Sequence, residues 1–304
     1  MEYFRVRTDL ALEAREFIEE ADGEIRGVIA EEYDEKDCDV HVTKVVINSK
    51  NGAKAMGKPI GTYITLEAAG LSQPDEDYHR EVSVIIAKHL QELLPKPGEE
   101  KSILVVGLGN RDVTADALGP GVVDNLYITR HMLMQFGKAA YECEKINQIS
   151  AVIPGVMGKT GMESAEIVKG IVKQTKPDVI VAIDALAARN TRRLNRTIQL
   201  TNTGIHPGSG VGNHRDSITQ ESLGVPVIAI GIPTVVDAAT IVSDAIERMK
   251  RELGENDMLF SGEGTGTLAE MNNMYVTSKD IDATIKRLGY TLSEGLNIAF
   301  DLNA

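Results

Sequence analysis

The sequence predicts an α/β fold: a doubly wound, mostly parallel sheet with helices on both faces, plus a small β appendage near the N-terminus. Three observations predict it. Apolar, β-rich runs at about 103–108, 149–153, 179–183 and 226–230 alternate with helix-periodic stretches at roughly 120–136, 163–175 and 237–252. The loops that follow these strands are rich in Gly or Pro: Gly107 to Pro120, Pro154 to Gly161, Asp184 to Arg196, and Gly231-Ile232-Pro233. The region from Ile25 to Leu66 instead reads as strand and turn, which marks the appendage.

The first element is a short helix over about 10–21, with Asp9 where an N-cap would stand. Val40 to Ile47 is β-rich and partly alternating, Asn51-Gly52 reads as a turn, and Gly61 to Leu66 as a further strand. A helix follows with apolar positions Val82, Ile85, Ile86, Leu90 and Leu93, stopped by Pro95 and Pro97. Beyond the alternating region, residues 276–300 read as a strand start and a final helix.

Composition narrows the function classes. The 304 residues are 42% apolar and 25% charged, the balance of an ordinary globular protein. Aromatics are only 4% and Trp is absent, so the core is aliphatic and a stacking surface for single strands is not expected. Thirty-two basic against 45 acidic residues give a formal charge of −13, which repels nucleic acid. The densest basic cluster, Arg189, Arg192, Arg193 and Arg196, reads as a solvated or subunit-contacting segment. Cys38 and Cys143 form no disulfide or zinc pattern. With no signal-peptide core and no apolar run near the roughly 20 residues that span a bilayer, a cytosolic-type protein without membrane association is expected.

Several motifs fail on spacing. Gly107-Leu108-Gly109 lacks the third glycine of a dinucleotide loop, where Asp112 stands, and Gly158-Lys159-Thr160 lacks the first glycine of a phosphate loop, where Ile153 stands. Ser209 lacks a nucleophile elbow because position 207 is Pro. Thr234 to Asp237 has capping-box spacing before the 237–252 helix, with a site role for Asp237 as the minority reading. His206 and His214 flank a Gly-rich loop, and His206 is a candidate third ligand.

Two carboxylates carry the chemistry. Asp116 lies six residues after the 103–110 run and Asp184 directly follows the 179–183 run. Ligands collect beyond the carboxyl ends of parallel strands, so the two are expected to meet there. A helix N-terminus near Pro120 favours ionised Asp116, whereas desolvation favours neutral Asp184, the split an acid–base pair needs. Aspartates in such loops also serve as caps, and that reading stays open.

Long stretches of the chain resemble the germination protease (spore protease) family of endospore-forming bacteria. They include Val6-Arg7-Thr8-Asp9-Leu10-Ala11, Val105 to Asn110, Asp116-Ala117-Leu118-Gly119-Pro120, Ile153 to Gly158, Ala182 to Arg189, Thr203 to Asn213 and Pro226 to Asp237. The resemblance implies one peptidase domain over 1–304. It implies a tetrameric, atypical aspartic endopeptidase of the spore core that degrades small acid-soluble spore proteins, with no cofactor. By motif, Asp116 and Asp184 are the catalytic pair. It also implies a self-processing zymogen whose propeptide, residues 1–9, is cut between Asp9 and Leu10, with Glu16-Phe17-Ile18 as a weaker second position. Family members can carry an extended segment after the helix ending near Arg251, where this chain has only a short loop through 253–267.

The pattern Gly109-Asn110…Asp116…Gly119 is also similar to that of nickel-dependent hydrogenase maturation endopeptidases. These share an α/β fold and hold metal with a Glu, an Asp and a His; Asp116 stands at the Glu position with a shorter arm. Two alternatives follow: a metal-assisted endopeptidase with Asp116, Asp184 and His206 as ligands, or a non-catalytic module that binds spore proteins.

Overall fold

A computed structural model describes residues 8–19, 26–36, 38–141, 143–205, 216–253, 271 and 274–302. The chain opens with α1 (Ala11–Glu19), β1 (Val28–Asp34), β2 (His41–Ile47), α2 (Lys50–Met56), β3 (Gly61–Glu67) and α3 (Glu76–Leu93). Next come β4 (Ser102–Gly107), α4 (Leu118–Val123), α5 (Arg130–Phe136), β5 (Gln148–Val152), α6 (Met157–Thr160) and α7 (Ser164–Thr175). It continues through β6 (Val179–Ala188), β7 (Thr197–Thr201), α8 (Gln220–Leu223), β8 (Val227–Asp237) and α9 (Ala238–Leu253). β9 (Tyr275–Val276) and α10 (Ile281–Phe300) complete the described elements.

The α/β architecture is as expected. Among the described residues, one nine-stranded sheet runs β1-β2-β3-β7-β8-β6-β4-β5, with β9 against β8. β5, β4, β6 and β8 pair in parallel, while β7, β3, β2 and β1 continue antiparallel from β8. The β-rich region near the N-terminus thus joins the main sheet through the pairing of β3 with β7.

Alternation along β4 assigns helices to both faces. Ile103 and Val105 point into a cluster with α3 and α10, whereas Leu104 and Val106 point into one with α7. Leu288, Leu292 and Leu296 are fully buried one turn apart on α10, facing Val82, Ile86 and Leu90 of α3. Each such side chain contributes about 1.5–3 kcal/mol by leaving water. Glu163 and Glu166 cap the start of α7 reciprocally, as a box of acceptors around its first amides.

Some boundaries differ from the sequence reading, each for a tertiary reason. The 120–136 helix is two helices, because Thr129 leaves helical hydrogen bonding: its N–H donates to Ile149 O, and its hydroxyl donates to Asn147 O and accepts from Ile149 N–H. Asn51-Gly52 is no turn but part of α2. Ser49 caps it by accepting from Gly52 N–H, and Gly57 ends it at φ 62°. Asp237 caps α9 rather than Thr234, accepting from the N–H and hydroxyl of Thr240. Thr234 remains in β8 and donates to Ala115 O.

Candidate active site

Asp116 and Asp184 are brought together by a crossing of chain directions in the sheet. From β4 the chain winds through α4 and α5 to β5 on one side, whereas β8 lies on the other side of β6. The crevice between the carboxyl ends of β4 and β6 is therefore a switch point, where α/β sheets bind ligands. β4 stops pairing at Gly107, opposite Ile183, and Asp184 is the next residue. β6 does not end there. It stays paired with β8 to Ala188, with a register shift between Leu186 and Ala187, so Asp184 sits within a strand rather than after one.

Asp184 is 8% exposed, and its Oδ1 accepts from Ala185 N–H at 2.9 Å. Asp116 is half-buried and ends a single 3-10 turn, Thr114–Asp116. That turn is fastened by Asp116 N–H to Val113 O, Asn110 N–H to Asp116 O, and Thr234 Oγ1 to Ala115 O. Both aspartates line one cavity of about 400 Å³, together with Asp9, Gly109, Ser164, Thr234 and Thr277.

Asp9 is the residue whose surroundings the sequence did not foreshadow. It does not cap α1. Its N–H donates to Ala187 O at 3.0 Å and its Oδ2 accepts from Ala187 N–H at 2.9 Å, which ties it to the end of β6. Leu10 is fully buried in an apolar nest with Leu186, Ala188 and Val236. Glu13, 3% exposed, accepts from the backbone N–H groups of Arg189 and Asn190 and from the hydroxyl of Thr8.

The arginine cluster is the second departure. Arg193 pairs within the chain with Glu16 at 2.6 Å, Glu67 at 2.9 Å and Glu13 at 3.5 Å, and Arg189 pairs with Asp244 at 3.0 Å. Burial works against the charge on Arg193, and the glutamates outweigh it, raising its pKa above the usual range. The Arg193 pairs tie α1, through Glu13 and Glu16, to the segment after β6 and to Glu67 of β3. Replacing Arg193 by Met should cost about 1–3 kcal/mol, less than a fully buried pair because Glu16 and Glu67 are partly exposed. Thermal unfolding measures the loss, and limited proteolysis should then cut α1 first. Glu16 lies inside this clamped helix, so its bond to Phe17 is held in helical rather than extended backbone.

His206, Ser209 and His214 lie outside the described residues. Asp237 is engaged as the α9 cap and does not line the cavity. Lys159 of the failed phosphate motif pairs with Asp112. Among the described residues, no group of three His, Cys, Asp or Glu stands close enough to hold a metal ion. Among them too, no helix is long and apolar enough to cross a membrane. The sequence reading missed Glu13, Lys58 and Gln199, which all face the N-terminal segment. No local pattern marks them; Lys58 sits in a plain Gly57-Lys58-Pro59 connection.

The fold and crevice define an α/β protein with aspartates converging at the switch point of its sheet. The chain matches the germination protease family over residues 6–261 and belongs to that family, and it is therefore a peptidase. The germination protease of Caldanaerobacter subterraneus is 47% identical, covering 97% of this chain and 94% of its own. That of Clostridium perfringens is 43% identical, with 99% and 96% covered, and that of Bacillus mycoides 41%, with 97% and 94%. The [NiFe] hydrogenase maturation protease HycI from Thermococcus kodakarensis shows a slight structural likeness. It is 17% identical with a TM-score of 0.33, covering 68% of this chain and 98% of that one.

Proposed function

We propose that this protein is an endopeptidase that starts the breakdown of small acid-soluble spore proteins in the germinating spore core. It is made as a zymogen and frees itself of residues 1–9 by cutting between Asp9 and Leu10. The observation that carries this reading is that Asp9 lines the same cavity as Asp116 and Asp184, with Leu10 seated in an apolar nest beside it. The family's substrates are cut after Glu and before Phe or Ile, so an acidic residue followed by an apolar one matches what the crevice already holds.

Asp116 and Asp184 share the work. Asp116, half-exposed on its turn, takes a proton from water as the water attacks the carbonyl carbon. Asp184, buried in β6, delivers a proton to the leaving amine. Assembly as a homotetramer is part of the same reading.

Two measurements test it. After incubation of the intact chain at mildly acidic pH, N-terminal sequencing should find a new terminus at Leu10; an unchanged Met1 would overturn self-processing. Mixed with a small acid-soluble spore protein, the processed enzyme should cleave it, and a divalent-ion chelator should leave the rate unchanged. Loss of activity on chelation, restored by a divalent ion, would replace the aspartate pair with a metal-assisted mechanism.

A further inference from the structure

The carbonyl oxygen of Asp9 is held by two side chains from distant parts of the sheet. Lys58 Nζ donates to it at 2.8 Å, with a longer bond to Thr8 O at 3.3 Å, and Gln199 Nε2 donates to it at 3.2 Å. Lys58 comes from the connection between α2 and β3, and Gln199 is a buried residue of β7, 7% exposed. Both line a narrow cavity of about 70 Å³ with Asp9 and Asp184, continuous in its lining with the larger cavity through those two aspartates. Gln199 also reaches across the bond: its Oε1 accepts from Ala11 N–H at 2.7 Å. The amide of Leu10 itself donates to Thr8 Oγ1 at 3.1 Å.

From this convergence we infer that Lys58 and Gln199 form the oxyanion site of the enzyme, acting first on the Asp9–Leu10 bond and then on the equivalent carbonyl of each substrate. The inference rests on the reading of that bond as the self-cleaved one. A carbonyl oxygen accepts up to two hydrogen bonds, from backbone amides, side chains or water. Here a cation and an amide donor meet at the one oxygen that becomes negative when water attacks. Donors fixed in advance around a developing charge act most strongly in a site shielded from water. Lys58 is half-buried at this site, where desolvation lowers its pKa and the charges of Asp9 and Glu13 oppose that shift.

Water oxygen bonds to the Asp9 carbonyl carbon and its proton passes to Asp116. The carbonyl π pair moves onto oxygen, where Lys58 and Gln199 receive it. On collapse the C–N bond breaks and Asp184 gives its proton to the Leu10 nitrogen, leaving a carboxylic acid on Asp9 and a free amine on Leu10. Departure of residues 1–9 then opens the same donors to a substrate carbonyl.

The test uses the full chain at mildly acidic pH, following first-order loss of residues 1–9 by intact mass. Lys58→Met, similar in length but without a donor, should process about 10²–10³-fold more slowly. Lys58→Arg should retain more of the rate than Lys58→Met. Gln199→Glu keeps an acceptor for Ala11 N–H while removing the donor to Asp9, and should also be slow. Hydrogen exchange at the Leu10 and Ala11 amides reports whether the segment stays docked, and protection should persist in all three variants. Wild-type rates in Lys58→Met and Gln199→Glu would overturn the assignment, as would a rate loss that only mirrors lost protection. Asp184→Asn separates the two levels. If wild type cuts, Asp184→Asn does not, and Lys58→Met cuts at full speed, the oxyanion site falls and the aspartate pair stands. If wild type itself makes no cut at Leu10, both readings fall together.

Discussion

Replacing Asp184 by Asn is expected to slow cleavage of both the Asp9–Leu10 bond and spore-protein substrates by at least about 10²-fold, the range of a lost acid–base group. The fold should survive. Asn has the same shape, and its Oδ1 can still accept from Ala185 N–H as Asp184 does. The position is nearly closed to solvent, so a neutral amide is no harder to bury there than a carboxyl group. Asp116→Asn should behave alike, and the double variant should lose little more than either alone, because groups that act as a unit are not additive. The measurement is single-turnover processing by intact mass, with thermal unfolding as a check. Full activity in either single variant would remove the pair from the mechanism.

Gly109→Ala is expected to be nearly as damaging without touching a reacting group. Gly109 has φ 116°, a backbone region that L side chains rarely adopt. A Cβ there would lie 2.0 Å from the backbone oxygen of Asp116, the atom that accepts from Asn110 N–H. The methyl group cannot be absorbed by a flexible side chain, so the turn carrying Asp116 must shift. Strain of this kind costs about 1–3 kcal/mol in stability. A displacement of about 1 Å at a reacting group can cost 10²-fold in rate. The expected result is a modest fall in unfolding temperature with a much larger loss of cleavage. Activity close to wild type would show that the Asp116 turn does not need its present position.

The contrast between Gly109 and Lys58 shows what local sequence can reveal. Gly107-Leu108-Gly109 after an apolar run announces a tight strand-end turn, even though its spacing excludes a nucleotide loop. Alternation and loop composition also place Asp116 and Asp184 near strand ends. The length of β6 was not legible, because Asp184 interrupts the apolar run after Ile183 while pairing with β8 continues to Ala188. The split between α4 and α5 depends on Thr129 meeting β5, and the cap at Asp237 on its bonds to Thr240. Arg193 read as surface charge because Glu13, Glu16 and Glu67, distant in sequence, come to it only when the sheet closes.

By itself, then, the sequence determined the α/β class, the parallel core and the two aspartates, because hydrophobic period and strand-end loops are written in neighbouring residues. The tertiary structure alone decided that Asp9 lies in the aspartate cavity, that Leu10 is buried beside β6, and that Lys58 and Gln199 meet at one carbonyl oxygen. Those contacts join residues up to 190 positions apart. They exist only because β3 and β7 extend the sheet past β8 and bring Lys58 and Gln199 to its crevice. No periodicity records such a meeting, because it is a property of strand order rather than of any segment.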